Sequence, residues 1–163
     1  MSNYVFPNLV LLTEHGGNFA VYNDAVYRIF RQDFVTTKPV FEGKRLGLKA
    51  YPLVDNKEYT YYHFTHSGGH EKDREPDLRR MERIPFPKPI IDNSGHADFK
   101  VWRVKRGTKD RILLFCEKES YLVVLEDRTD YILPWTAYIV DREHQRKKLL
   151  KQYKEYKNAE AAQ

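Results

Sequence analysis

Residues 100–140 read KVWRVKRGTKDRILLFCEKESYLVVLEDRTDYILPWTAYIV. Four runs rich in β-branched and aromatic residues, KVWRVKR, RILLFC, YLVVLE and DYILPWTAYIV, alternate with the polar turns GTKD, EKES and DRT. Strands about ten residues apart and joined by short polar turns predict an antiparallel meander. Pro134 has no N–H to give a ladder, so the fourth strand lies at an edge or carries a bulge there. Without a bulge, Ile132, Pro134, Thr136 and Tyr138 point one way, and Tyr131, Leu133, Trp135 and Ala137 the other.

Upstream the periodicity changes. NFAVYNDAVYRIFRQDF (18–34) sets Tyr22, Val26, Ile29, Phe30 and Phe34 at helical spacing, with Asn18 as a cap. Gly16–Gly17 divide that helix from an opening strand, NLVLL. Pro39, Gly43 and Gly47 mark turns between short extended pieces. EYTYYHFTH (58–66) is rich in β-forming aromatics and reads as a strand. A short helix follows over 76–84, opened by Pro76 and Asp77 and stopped by Pro85. It turns Leu78 and Met81 to the core and sets Arg79, Glu82 and Arg83 on another face. IPFPKPII reads as an extended connector, because each proline disfavours helix in the residue before it.

The chain closes with a basic helix over 141–158, with Leu149, Tyr153 and Tyr156 as its apolar stripe, and a frayed tail over 159–163. The fold expected is one α+β domain over 1–163, with its core in 18–140. N-terminal helices and short strands precede the four-stranded antiparallel meander and the C-terminal basic helix.

Composition bounds the function. A hydrophobic share of 41% with 12 Tyr and 9 Phe supplies a core and argues against disorder. Cys116 is the lone cysteine and lies in ILLFC, as a buried thiol in a chain kept in a reducing compartment. No apolar run reaches the roughly 20 residues that span a bilayer, and MSNYVFPNL lacks a signal pattern. A cytoplasmic location without a membrane partner is expected. The net charge is +5. Seven Lys/Arg against three acids in DREHQRKKLLKQYKEYK (141–157) put most of that excess on the last helix. That helix could be a solvated face, a nucleic-acid contact involving Arg146 and Lys147, or a partner-docking element.

HFTHSGGHEKDREPDLRRMERI (63–84) concentrates titratable groups. A metal site would use His63, His66, His70, Glu71 and Asp73. On a strand, however, His63 and His66 face opposite ways, and no thiolate cluster accompanies them. Neither metal nor cofactor is expected. A solvated charged face is the second reading, since five Lys/Arg balance five Asp/Glu over 63–83. Phosphate chemistry is the third. Cutting RNA without a metal needs proton transfer to and from oxygen, together with fixed cations for the transition state. His63, Arg79, Arg80, Arg83, Arg111, Thr136 and Tyr138 are residues of the types required. Glu82 serves as a base or orients its arginine neighbours, and His144 could approach from the last helix.

Across residues 18–157, NFAVYNDAVYRIFRQDFV, FEGKRLGLKAYP, YTYYHFTHSGG, REPDLRRMERIPFPKPII and DYILPWTAYIVDREHQRKKLLKQYKEY succeed one another. In this order they resemble the phage-associated barnase–EndoU–colicin–RelE-like nucleases. The resemblance implies a compact α+β fold and a metal-independent endoribonuclease, a toxin or a phage or prophage product. His63 would transfer protons, Arg79, Arg80 and Arg83 would clamp phosphate, and Thr136 and Tyr138 would position it. RNA would be the substrate, and a neutralising antitoxin or immunity protein a partner. The rival functions are a non-catalytic nucleic-acid-binding module and a partner-docking accessory protein.

Overall fold

The computed structural model describes residues 2–163. Its fold is α+β. The helix α1 spans Phe19–Arg31 and continues into a π turn over Gln32–Thr36. Asn18 caps it as expected, accepting from the Val21 N–H at 3.1 Å. Tyr22, Val26, Phe30 and Phe34 are buried along its inner face. Two two-residue strands, β1 (Val40–Phe41) and β2 (Lys44–Arg45), form the first of the short ladders.

The helix α2 runs Tyr59–Thr65 and replaces the strand expected over 58–66. Every residue from Thr60 to Thr65 is buried. A helix enclosed on all sides suits a run with no exposed polar face, its buried Thr60, His63 and Thr65 included, and packing here overrides the β preference of its aromatic and β-branched residues. Beyond it, β3 (His66–Ser67) pairs with β4 (Glu75–Pro76). Pro76 therefore sits in a ladder rather than opening the next helix. Asp77 caps α3 (Leu78–Glu82) by accepting from the Arg80 N–H. Met81 is fully buried, whereas Leu78, expected in the core, is 42% exposed.

IPFPKPII is also corrected, because Pro87–Asp92 forms α4. Both Pro87 and Pro89 fall in its first turn, where a missing N–H costs no helical bond. NLVLL makes no strand. Leu12–His15 is a 3-10 turn, and Val10 is held by single bonds, its N–H to the Glu82 carbonyl and its carbonyl to the Tyr22 hydroxyl.

The meander is as expected. β5 (Phe99–Arg106), β6 (Lys109–Cys116), β7 (Tyr121–Asp127) and β8 (Ile132–Ile139) pair antiparallel in the order β5-β6-β7-β8. β8 is an edge strand and also carries a bulge. Val124 pairs with Thr136 and Leu125 with Pro134, which leaves Trp135 as the extra residue. The bulge breaks the uniform alternation, so Ile132 and Ala137 pack against the same core face of the sheet.

That face, with Ile112, Leu114, Val123 and Leu125, packs on α1, α2 and α4. The opposite face carries Trp102, Leu113, Phe115, Leu122 and Val124 and is covered by Leu149 of α5 (Glu143–Ala161). Fully burying a side chain of this size contributes roughly 1.5–3 kcal/mol. The two faces therefore make one helix–sheet–helix stack. The last helix reaches Ala161, past the expected end at 158 and into the segment read as a frayed tail. Among the described residues no helix is long and apolar enough to cross a membrane.

Candidate functional site

The edge of β8 is where the titratable groups meet. His63 lies on α2 with its side chain only 6% exposed. Its Nε2 is 2.6 Å from Glu71 Oε1, on the 3-10 turn Glu71–Asp73. The contact is close but lies outside the geometry of an aligned N–H···O hydrogen bond. The His63 ring packs at 4.7 Å from Tyr59 and 5.1 Å from Trp135, centroid to centroid. Cations border these rings. Lys49 Nζ lies 5.2 Å from the Tyr59 ring and the Arg111 guanidinium 4.7 Å from Trp135.

Burial pushes the His63 imidazole below its ordinary pKa; Glu71 opposes this and Arg74 reinforces it. Glu71 is half exposed at its side chain. Its partial desolvation acts upward, but the Tyr59 hydroxyl, His63 and Arg74 together hold its pKa below the carboxylate reference. Desolvation, then Glu71, pushes Tyr59 up to about 12. At neutral pH the arrangement is an ionised carboxylate facing solvent, backed by a neutral imidazole and a protonated phenol.

The Glu71 turn is anchored from below. The Tyr62 hydroxyl donates to the Glu71 carbonyl at 2.7 Å and accepts from the Arg74 N–H at 3.2 Å. His66 does not join His63. Its Nδ1 lies 2.9 Å from Thr65 Oγ1 and its ring packs tilted against Tyr62. The two histidines are therefore separated by the end of a helix and by different partners, not by the alternation of a strand. Among the described residues, no group of three or more His, Cys, Asp or Glu is arranged to hold a metal ion.

The expected residues divide into two sets. His63, Arg80, Thr136 and Tyr138 come together. Arg80 Nη1 donates to the His63 carbonyl at 2.9 Å and to Thr136 Oγ1 at 3.1 Å, and its guanidinium lies over the Tyr138 ring. Thr136 Oγ1 in turn donates to the same carbonyl at 3.2 Å. These contacts reach the main chain of His63, not its imidazole. Arg111 joins through Trp135 and is paired with buried Glu126 at 3.2 Å.

The others lie apart. Arg79 is exposed and paired with Asp141 at 3.0 Å. Arg83 bonds the Arg79 carbonyl and contacts Glu82, so Glu82 neighbours an arginine rather than His63. Arg146 pins α5 to the β6–β7 turn, donating to Ser120 Oγ at 2.8 Å and to the Glu117 carbonyl. Lys147 and His144 stand exposed on α5. Glu71 entered the sequence reading only as a metal ligand, and Lys49 and Tyr59 did not enter as site residues at all. Only the fold brings them to His63. No family model, curated protein or solved structure matches the chain.

Proposed function

We propose that the chain is a metal-independent endoribonuclease whose proton acceptor is Glu71, backed by His63. The observation that carries this reading is the 2.6 Å contact between His63 Nε2 and the half-exposed Glu71 carboxylate, beside aromatic rings and cations. The carboxylate takes the 2′-hydroxyl proton as that oxygen attacks phosphorus. The P–O5′ bond breaks, leaving a 2′,3′-cyclic phosphate, and the departing oxygen takes a proton from solvent. Lys49 and Arg74 supply positive charge for the crowded phosphorus. Arg80 and Thr136 act as positioning residues by holding α2 on β8. Arg79 and Arg83 have no part in the proton transfer.

The test is incubation of the protein with RNA in excess EDTA, beside Glu71→Gln, His63→Asn and Arg79→Ala. Loss of a general base is expected to slow cleavage by about 10²–10⁴-fold in Glu71→Gln. Arg79→Ala should stay within a few-fold of the parent, and the products should carry cyclic phosphate ends. Equal cleavage by Glu71→Gln and the parent would overturn the assignment. A second reading, a nucleic-acid-binding module, draws on the near-complete enclosure of the His63 side chain. It predicts RNA retention without cleavage, unchanged by Glu71→Gln.

A further inference from the structure

The helix α5 divides its surface in two. Leu149 is buried, and Leu150, Tyr153 and Tyr156 are partly buried, all packed toward the sheet with Trp102 and Phe115. On the opposite side Lys147, Lys151 and Lys154 follow one another at i, i+4 and i+7, and each is exposed. His144 and Lys148 flank them and are exposed as well. At 1.5 Å per residue, the three lysines cover roughly 10 Å of helix.

Elsewhere the chain pairs many of its lysines. Lys88, Lys100, Lys105, Lys109 and Lys118 each contact a carboxylate. Among the described residues, Lys147, Lys148, Lys151 and Lys154 contact none, although Glu143 and Glu155 belong to the same helix. The result is a line of unneutralised ammonium groups on a rigid support.

We infer that this line is a docking surface for the phosphate backbone of RNA, separate from the Glu71 site. The inference rests on the reading of the chain as acting on RNA. Charge complementarity selects the partner, because flexible point charges in a row suit a repeating anion and give no base readout. An anionic membrane is a poorer fit. An interfacial helix must bury its apolar face in lipid, and the apolar side of α5 is already occupied by the sheet.

The test compares Lys147→Gln/Lys151→Gln/Lys154→Gln and the corresponding triple Lys→Arg protein with the parent, all in a Glu71→Gln background. Binding to a short single-stranded RNA is measured from 50 to 200 mM salt, with polyglutamate as a second probe. Losing three phosphate contacts should lower the slope of log affinity against log salt by about 2 for a single strand. The arginine protein should keep the parental slope, and circular dichroism should show the helix intact in each.

An unchanged slope in the glutamine protein would overturn the inference. So would polyglutamate bound as tightly as RNA and lost in parallel, which would make the surface a site for acidic proteins. Cleavage of a dinucleotide by the same lysine substitutions with Glu71 restored reports separately on the catalytic reading. Absence of that cleavage in the parent, with the salt slope intact, would remove the nuclease and leave the docking surface.

Discussion

Arg80 holds the main-chain oxygen of His63 at 2.9 Å, and the same nitrogen reaches Thr136. One guanidinium thus ties α3, α2 and β8 together at the point where the His63 ring turns toward Glu71. A charged donor to a largely buried carbonyl contributes roughly 1.5–3 kcal/mol. Arg80→Ala is expected to lower the midpoint of thermal unfolding by about 4–8 °C, and Thr136→Val by about half as much. Because both serve the same carbonyl, the double variant should depart from additivity by more than 0.5 kcal/mol. Calorimetry on the four proteins measures this directly.

Burial holds both His63 and His66 below the ordinary imidazole pKa. A base whose folded pKa lies below its unfolded value binds more protons when unfolded, so stability rises with pH across that window. The protein should lose stability as pH falls through the unfolded imidazole value near 6.5. The depressed carboxyl of Glu71 adds a loss in the same direction below about 4.5. His63→Asn and His66→Asn should each flatten the upper part of this profile, measured by unfolding midpoints at successive pH values. A profile indifferent to both substitutions would contradict the assignment.

Asp33 titrates with the opposite sign. Desolvation in its groove near Asp92 raises its pKa to about 6, although Lys88 works against the shift. The folded state therefore carries a penalty that is absent near pH 4 and complete above pH 6. Asp33→Asn should stabilise the protein by about 1 kcal/mol at pH 7.5, or 2–4 °C, after allowance for partial solvent screening. The gain should vanish near pH 4.

Glu126 is 1% exposed at its side chain and meets Arg128 at 2.8 Å and Arg111 at 3.2 Å. Removing one partner of a buried ion pair leaves the other uncompensated. Glu126→Ala is expected to cost about 3–5 kcal/mol in urea denaturation. Freed from Glu126, Arg111 would also lose its fixed place over Trp135, so indole fluorescence should shift in the folded protein.

The meander was legible because its turns and its β-branched runs agree. The helix α1 was legible because Tyr22, Val26, Phe30 and Asn18 supply both period and cap. By contrast, YTYYHFT carries no period. A run without a distinct polar stripe fits an enclosed helix and a buried strand equally well, and its tyrosines and threonines favour the wrong choice. That reading also kept His63 apart from Glu71. On a strand His63 has no route to Glu71, whereas the α2 ending at Thr65 and the β3–β4 hairpin fold the Glu71 turn back over it. Lys49 and Trp135 could not be found from spacing, since they come from distant parts of the chain. Pro87 and Pro89 did hold a readable signal for α4, as prolines confined to a first helical turn.

The bulge at Trp135 has a consequence for the protein at high concentration. An uninterrupted outer strand offers a row of free N–H and C=O groups on which a second chain can template itself. β8 is kinked at Trp135, the Gly47 N–H occupies the Ile132 carbonyl at 2.8 Å, and α2 lies against the strand. At the other end of the sheet, β5 carries Lys100, Arg103, Lys105 and Arg106, charged groups that a second strand pairing there would have to strip of water. The two outer strands thus resist self-assembly by different means, obstruction on one side and the cost of burying charged groups on the other.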